Sequence, residues 1–297
     1  MRLEVKEGVE RLKRERGVAP KLSVVLVGDN PASHVYVRNK EAAAREAGME
    51  GEILRLPSSS RAPELASTIS ALNRDPGVHG ILIQLPLPPG LDPHEAALAL
   101  DPAKDVDGLH PESGGRLLAG LPGFVPCTPS GIIELLSRHG IAMRGREAVV
   151  IGRSDIVGKP LALLLLREDA TVTLCHSRTT DLPSVARRAD ILIAAIGRAA
   201  FVTSAFIKPG AVVVDVGINR CQSESDAARF WPGDARRLEE VRTKGWTLVG
   251  DVHPADAGAA ASAVTPVPGG IGPMTIAMLL ANTLRAAQKA SGNRAGS

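Results

Sequence analysis

The stretch "AVVIGRSDIVGKPLALLLL" (148–166) decides the fold. Four apolar residues, Ala148 to Ile151, run into Gly152, then a polar turn, then Gly158 and an apolar helical stretch with Pro160 near its start. The pattern reads as strand, glycine turn, helix. Gly152 ends the strand, Gly158 lets backbone approach closely, and a proline is tolerated in a first helical turn. Such a turn is expected to present free backbone N–H groups at the helix start, where phosphate oxygens are stabilised. The spacing departs from G-x-G-x-x-G, so a βα turn without a ligand fits this stretch too.

The next predicted strand, Thr171–Cys175, leads into His176, Ser177 and Arg178. NAD-binding proteins carry an acidic residue at about this place, on the ribose 2′-hydroxyl. A carboxylate would repel a 2′-phosphate, whereas Ser177, Arg178 and Arg153 would donate to one. NADP is therefore expected over NAD, with a solvated surface charge as the plain alternative for Arg178.

The same rhythm extends along the chain. Strands are predicted at Leu22–Val27, Gly80–Leu85, Ala148–Ile151, Thr171–Cys175, Ile191–Ala195 and Ala211–Val216, most running straight into helical patterns. Such βαβ repetition implies parallel sheets with crossover helices. With 297 residues there is chain enough for two domains. Aromatic residues are 2% against 44% hydrophobic, so Val, Leu, Ile and Ala build the core, as in an α/β protein with a buried parallel sheet. A boundary is expected near Pro126–Ser130, after the Pro- and Gly-rich 86–123, which reads as loop. Helices are predicted over Ser130–His139 and Thr275–Gln288. The second of these could return to the first domain, and the tail from Ala290 reads as frayed.

Composition also narrows the partners. The net charge of +3 is spread over mixed Lys, Arg, Asp and Glu, which reads as a solvated surface and not a nucleic-acid patch. Few aromatics argue against a stacking platform for single strands. No apolar run approaches the roughly 18–20 residues of a membrane span, and the charged start lacks the apolar middle of a signal peptide. Cys127, Cys175 and Cys221 are far apart without metal-like spacing, so no metal and a reducing cytoplasm are expected.

Three further segments carry candidate chemistry. In "VGDNPASHVYVRNKEAAAREAGM" (27–49), Asn30 or Ser33 can cap a helix that places Tyr36 and Lys40 on one face. A lysine there serves as acid or base only if burial or a positive neighbour lowers its pKa; otherwise it is a surface lysine. "GILIQLPLP" (80–88) sets Gln84 at the carboxyl end of a buried strand, either to orient Lys40 or to satisfy nearby backbone. "PAKDVDGLHPESGGRL" (102–117) offers Asp105 and Asp107, either as acceptors for a heterocycle or as turn caps.

Taken in order, "YVRNK" (36–40), "IQLPLP" (83–88), "KDVDG" (104–108), "PCTPSG" (126–131), "GRSDIVGKP" (152–160), "CHS" (175–177), "DVGIN" (215–219), "GDV" (250–252) and "TPVPGGIGPMT" (265–275) make the chain resemble the bifunctional methylenetetrahydrofolate dehydrogenase/cyclohydrolase family from Val24 to Leu284. The resemblance implies a two-domain α/β fold. Residues 1–126 and 273–297 would form the folate-binding catalytic domain and 127–272 a Rossmann-like NADP-binding domain, with the C-terminal helix returning to the first and a cleft between. It implies a homodimer. Lys40 would be the central catalytic residue, tuned by Gln84. Tyr36 would stack on the aminobenzoate, and Asp107 would hold the pterin. Leu85, Pro268, Gly269, Gly270, Ile271 and Gly272 would line the folate pocket. Gly152, Arg153, Ser154, Ser177, Arg178 and Ile218 would bind NADP.

The chain departs from the family pattern in three places. It opens on "LEVKEGVERLKRERG" where members have a short strand, so that strand is absent or the start truncated. Ser113 stands where members often have Asn. The segment between Asn219 and Gly250, with Trp231 and Trp246, is longer than in many members, as a surface insertion or one that touches cofactor or dimer contacts. The alternatives are another dehydrogenase of the same plan, of shikimate or amino-acid type, a non-catalytic nucleotide-binding regulator, and, within the same family, a dehydrogenase-only member.

Overall fold

The structure is a computed structural model that describes residues 1–293. The chain divides into two compact units: Met1–Cys127 with the chain from Ile276 onward, and Thr128–Thr275.

The first unit opens on α1 (Arg2–Arg16), which Gly17 stops in a left-handed conformation. Then come β1 (Lys21–Val27), α2 (Pro31–Glu46), β2 (Glu50–Leu56), α3 (Ala62–Arg74) and β3 (Gly80–Ile83). The strands form a parallel sheet in the order β2-β1-β3. Side chains alternate across a strand, and β1 is apolar on both faces. Leu22, Val24 and Leu26 pack with Val37, Leu82 and Leu279, while Val25 and Val27 pack with Ile69, Leu72 and Ile83. Each such burial contributes roughly 1.5–3 kcal/mol. Two short helices, α4 (Pro93–Leu98) and α5 (Pro111–Leu118), follow.

The second unit holds α6 (Cys127–Arg138) almost entirely, then β4 (Glu147–Ile151), α7 (Gly158–Arg167), β5 (Thr171–Cys175), α8 (Leu182–Ala186), β6 (Ile191–Ala194) and β7 (Val212–Asp215). A small antiparallel pair, β8 (Asn219–Cys221) and β9 (Thr247–Val249), encloses α9 (Glu224–Phe230) and α10 (Ala235–Lys244). After α11 (Pro254–Ala260) and β10 (Ala263–Val264), α12 (Ile271–Asn293) begins in this unit and runs on into the first. The five-stranded sheet is parallel, ordered β10-β7-β6-β4-β5. Val149, Ile151, Leu192 and Val213 fill one face; Ala148, Val150, Ile193 and Val214 fill the other.

The predicted strands lie within two residues of the observed ones at each end. Several expectations need correction. The 86–123 stretch is not all loop: α4 and α5 each start with proline, a residue preorganised for a first helical position. Their caps are Asp92, which accepts from His94 N at 2.7 Å, and His110, which accepts from Glu112 N at 3.0 Å. α12 is longer than 275–288, starting at Ile271 and still helical at Asn293, so the frayed-tail reading fails for Ala290–Asn293; residues 294–297 lie outside the described ones. Residues 219–249 are a folded layer with a core of their own, in which Cys221, Ala227, Phe230, Val241 and Val249 pack with Ala200. Among the described residues no helix is long and apolar enough to cross a membrane. No group of His, Cys, Asp and Glu among them is disposed to hold a metal ion.

Candidate active site

In the first unit, Asn30 begins α2: its Oδ1 accepts from Ser33 N at 3.3 Å. The helix thus brings Tyr36 and Lys40, four residues apart, along one face. Lys40 is buried at 9% exposure, and its Nζ donates to Gln84 Oε1 at 2.9 Å. Gln84 follows β3 directly, and its backbone N–H still pairs with Val25 O at 2.9 Å. Its Nε2 donates to Leu85 O at 2.6 Å, which leaves the amide oxygen for the lysine.

Burial lowers the Lys40 pKa below its ordinary 10.5, against the opposing attraction of Asp107 and Cys127. Burial likewise raises the Asp107 pKa, although the Lys40 charge and hydrogen bonds from the Cys127 thiol and N–H pull it down. The Cys127 thiol is pushed up well above its usual range by burial and the neighbouring Asp107. Desolvation wins for both members of the lysine–aspartate pair, so each is driven toward its neutral form. That is the state a proton carrier needs near neutral pH. Tyr36, Lys40, Gln84, Leu85 and Asp107 thus belong to one unit, with Lys40 contacting Gln84 and paired electrostatically with Asp107. Cys127, which sequence reading quoted in "PCTPSG" but gave no role, belongs with them.

The two charged residues before Asp107 do other work. Lys104 Nζ donates to the carbonyls of Leu72, Asn73 and Asp75 at 3.0, 2.8 and 2.6 Å, closing the C-terminal end of α3. Asp105 is fully buried and accepts from Leu109 N, His110 N and Ser113 Oγ at 3.0, 2.8 and 2.9 Å. Ser113, the departure noted above, thus makes a buried loop contact. Asp105→Ala leaves three donors without an acceptor, that of Ser113 buried and those of Leu109 and His110 part-buried, each costing up to roughly 1–3 kcal/mol. The variant is expected to lose about 3 kcal/mol or more in urea unfolding; an unchanged midpoint would contradict this structural role.

In the second unit, the chain leaves β4 for β5 on one side, and β6 lies on the other. Ligands of open α/β sheets gather at that switch point, beyond the carboxyl ends of the strands. Gly152 sits there with φ +123°, and a Cβ on it would lie 2.0 Å from Ala195 O. A Cβ on Gly158 would lie 1.9 Å from Gly152 O, so the turn closes on itself and neither position admits a side chain. The free N–H groups expected at the helix start are in fact held. Ser154 Oγ accepts from Val157 N and Gly158 N at 3.2 and 3.4 Å, and Ser154 O accepts from Lys159 N at 3.1 Å. The donors left for an anion are those of the turn itself.

Ile151 pairs with Cys175, so the turns after β4 and β5 leave adjacent strand ends. His176 shapes the second turn: its N–H reaches Thr179 Oγ1 at 2.9 Å, and its Nδ1 accepts from Arg178 N at 3.1 Å. Ser177, Arg178, Arg153 and Ser154 are exposed, and among the described residues neither of those arginines has an ion-pair partner. This cradle, tight in backbone and cationic at its rim, fits a phosphorylated dinucleotide. Ile218, 45% exposed, lies in the turn after β7. Pro268, Gly269, Gly270, Ile271 and Gly272 also belong to this second unit, so the expected folate residues are divided between the two.

Sequence reading missed two organising carboxylates. Asp251, fully buried, accepts from Ile196 N, Gly197 N and Arg198 N at 2.6, 2.9 and 2.8 Å, and from Asn219 Nδ2 at 3.0 Å. Asp215 accepts from Gly217 N, Asp251 N and Val252 N at 2.9, 2.8 and 2.9 Å, and burial pushes its pKa up to about 6 against those bonds. Together they tie the loops after β6 and β7. Both stand in the quoted segments "DVGIN" and "GDV", the only sequence signal they give.

A parallel sheet with a glycine-closed turn at its switch point, and a desolvated lysine in a companion α/β unit, define a nucleotide-dependent dehydrogenase equipped for proton transfer. Residues 1–107 match the tetrahydrofolate dehydrogenase/cyclohydrolase catalytic domain, and residues 126–291 the NAD(P)-binding domain of the same family. The bifunctional protein FolD of Koribacter versatilis is 51% identical over 99% of this chain and 95% of its own length. That of Acidiphilium cryptum is 55% identical over 91% and 88%. Among solved structures, the bifunctional FolD methylenetetrahydrofolate dehydrogenase/cyclohydrolase of Campylobacter jejuni superposes with a TM-score of 0.87 at 42% identity, covering 97% of this chain and 94% of that one. The Trypanosoma brucei enzyme, solved with NADP cofactor and inhibitor, gives 0.87 at 37% identity over 97% and 93%. The chain belongs to the tetrahydrofolate dehydrogenase/cyclohydrolase family.

Proposed function

We propose that this enzyme oxidises 5,10-methylenetetrahydrofolate to the 5,10-methenyl cation with NADP, then hydrolyses the cation to 10-formyltetrahydrofolate. The observation that carries this reading is the buried Lys40, held by Gln84 at 2.9 Å with Asp107 beside it. NADP, when bound, accepts the hydride. The protein's task in that step is alignment. Tyr36 would stack on the aminobenzoate, Asp107 would hold the pterin, and Leu85 with Pro268, Gly269, Gly270, Ile271 and Gly272 would line the pocket. In the hydrolysis, water adds to the methenyl carbon, and Lys40 in its neutral form takes the proton that the water releases; the bond from that carbon to N5 then breaks, the hydroxyl proton passing to N5 as the formyl carbonyl forms. Gln84, accepting from Nζ, fixes the direction of that amine. Gly152, without a side chain, would let the pyrophosphate approach closely, the Ser154 backbone would cradle it, and Ile218 would line the nicotinamide side, with Arg153, Ser177 and Arg178 at the 2′-phosphate.

The test is a dual-wavelength assay with 5,10-methylenetetrahydrofolate and NADP, in a buffer where spontaneous methenyl hydrolysis is slow. Cofactor reduction with methenyl absorbance that rises and then decays enzymatically is the expected outcome. Persistent methenyl would reduce the reading to a dehydrogenase alone, and no reduction would end it. Ser177→Asp puts a carboxylate where the 2′-phosphate would lie. It is expected to raise KM for NADP by about tenfold or more, roughly 1.4 kcal/mol, while KM for NAD stays nearly constant. Equal effects on both cofactors would remove Ser177 from the 2′-phosphate site.

We further propose a homodimer, by analogy within the family, and a reducing cytoplasmic setting. The three cysteines, all free and buried, support the latter.

A further inference from the structure

The folded layer of residues 219–249 sends one side chain out of its own core and into the 265–270 loop. Arg237, on α10, is 8% exposed, and its guanidinium lies over the Trp231 ring at 4.6 Å. Its Nη1 donates to Thr247 Oγ1 and Leu248 O at 3.0 and 3.2 Å, within the layer. Its Nη2 donates to Val267 O at 2.9 Å, outside it. The nearest carboxylate, Glu240 Oε2, is 3.8 Å from Nη1 and already accepts from Thr247 Oγ1 at 2.6 Å. Nε has no partner among the described residues. A buried cation with an unsatisfied N–H is costly, and its two bonds inside the layer are not the whole of what it does.

The charge also serves the loop. Pro266 and Pro268 have no N–H to offer, so the loop can tie itself down at few points. Its upstream end is fixed by Thr265 N to Val213 O at 3.1 Å, and by Asp215 N to Thr265 Oγ1 at 2.8 Å. Gly270 N closes on Pro266 O at 2.9 Å. Between those points the Val267 carbonyl is held by Arg237, one residue before the Pro268–Gly272 run.

We propose that Arg237 is a positioning residue for the folate site, through which the 219–249 layer sets the placement of Pro268, Gly269 and Gly270. This rests on the reading of 268–272 as folate-lining. The donor is charged and the acceptor a carbonyl, so the bond is of the stronger kind.

Arg237→Met keeps the volume over Trp231 and removes every donor. KM for 5,10-methylenetetrahydrofolate is expected to rise about tenfold or more, with KM for NADP within about twofold of wild type. Arg237→Lys should recover most of the loss. Thr247→Val, which cuts a bond of Arg237 inside the layer and leaves Val267 alone, should not move the folate KM. Amide hydrogen exchange at Val267, Gly269 and Gly270 in the ligand-free protein should quicken in Arg237→Met. Unchanged exchange would overturn the inference at the brace itself. Faster exchange with an unchanged folate KM would overturn it through the folate assignment of the loop. If Arg237→Met does not fold, Arg237→Lys with wild-type exchange at those amides but an altered folate KM would also overturn it.

Discussion

Replacing Lys40 by Gln is expected to lower the methenyl hydrolysis rate by roughly 10²–10⁴, the range that a positioned acid–base group supplies. Glutamine has nearly the length of lysine and keeps a donor for Gln84, but it does not titrate near neutral pH. Dehydrogenation removes a hydride and no proton, so it should fall far less, and NADP binding followed by fluorescence titration should be unaffected. In the wild-type enzyme the sign of the pH effect follows from burial. The Lys40 pKa lies below its ordinary 10.5, so the neutral amine grows in as pH rises through that lowered value. The hydrolysis rate should climb and then level below the pH at which a solvated lysine titrates, and the Gln variant should lose this limb. A variant that retained the full hydrolysis rate, or the same pH limb, would remove Lys40 from the chemistry.

Gly158→Ala should strike the other activity. The added carbon would sit 1.9 Å from the Gly152 carbonyl oxygen and 2.6 Å from its carbon, both backbone atoms fixed by the close of the turn. Relief requires the turn to open, and overpacking of this kind costs roughly 1–3 kcal/mol of stability. The cradle at the head of β4 is lost with it, so KM for NADP is expected to rise by about a hundredfold or more, near 2.7 kcal/mol. Hydrolysis of supplied methenyltetrahydrofolate should survive in large part, because that step draws no hydride and uses the first unit's lysine. Circular dichroism melts would separate global unfolding from a local defect. An NADP titration matching wild type would show that the turn does not hold the cofactor.

These strands were legible because burial on both faces writes an apolar run, broken only by Ser23: Leu22–Val27, Gly80–Ile83, Ala148–Ile151 and Ile191–Ala194. Others were not. β2 carries Glu50, Glu52 and Arg55, as an edge strand facing water can, and β8, β9 and β10 are only three, three and two residues long. Pro93 and Pro111 signalled helix starts and were read as loop. The proximity of Lys40 to Gln84 follows from order alone, since α2 leaves the end of β1 and Gln84 the end of its neighbour β3. The work of Lys104, Asp105, Asp251 and Arg237 was hidden in the sequence. Each acts on backbone or side chains whose positions only the packed fold supplies, and for Lys104 and Asp251 those partners are mostly 29 to 55 residues away.

The four residues from Lys104 to Asp107 have a consequence for anyone wishing to redesign this enzyme. Within one turn of chain, Lys104 locks the end of one helix, Asp105 holds the start of another, and Asp107 faces the buried lysine. Bond rotations that move the last carboxylate drag on the first two anchors, so folding and the placement of the carboxylate beside Lys40 share a single mechanical joint. Substitutions at Asp107 are therefore best paired with a check that both helix ends stay fastened.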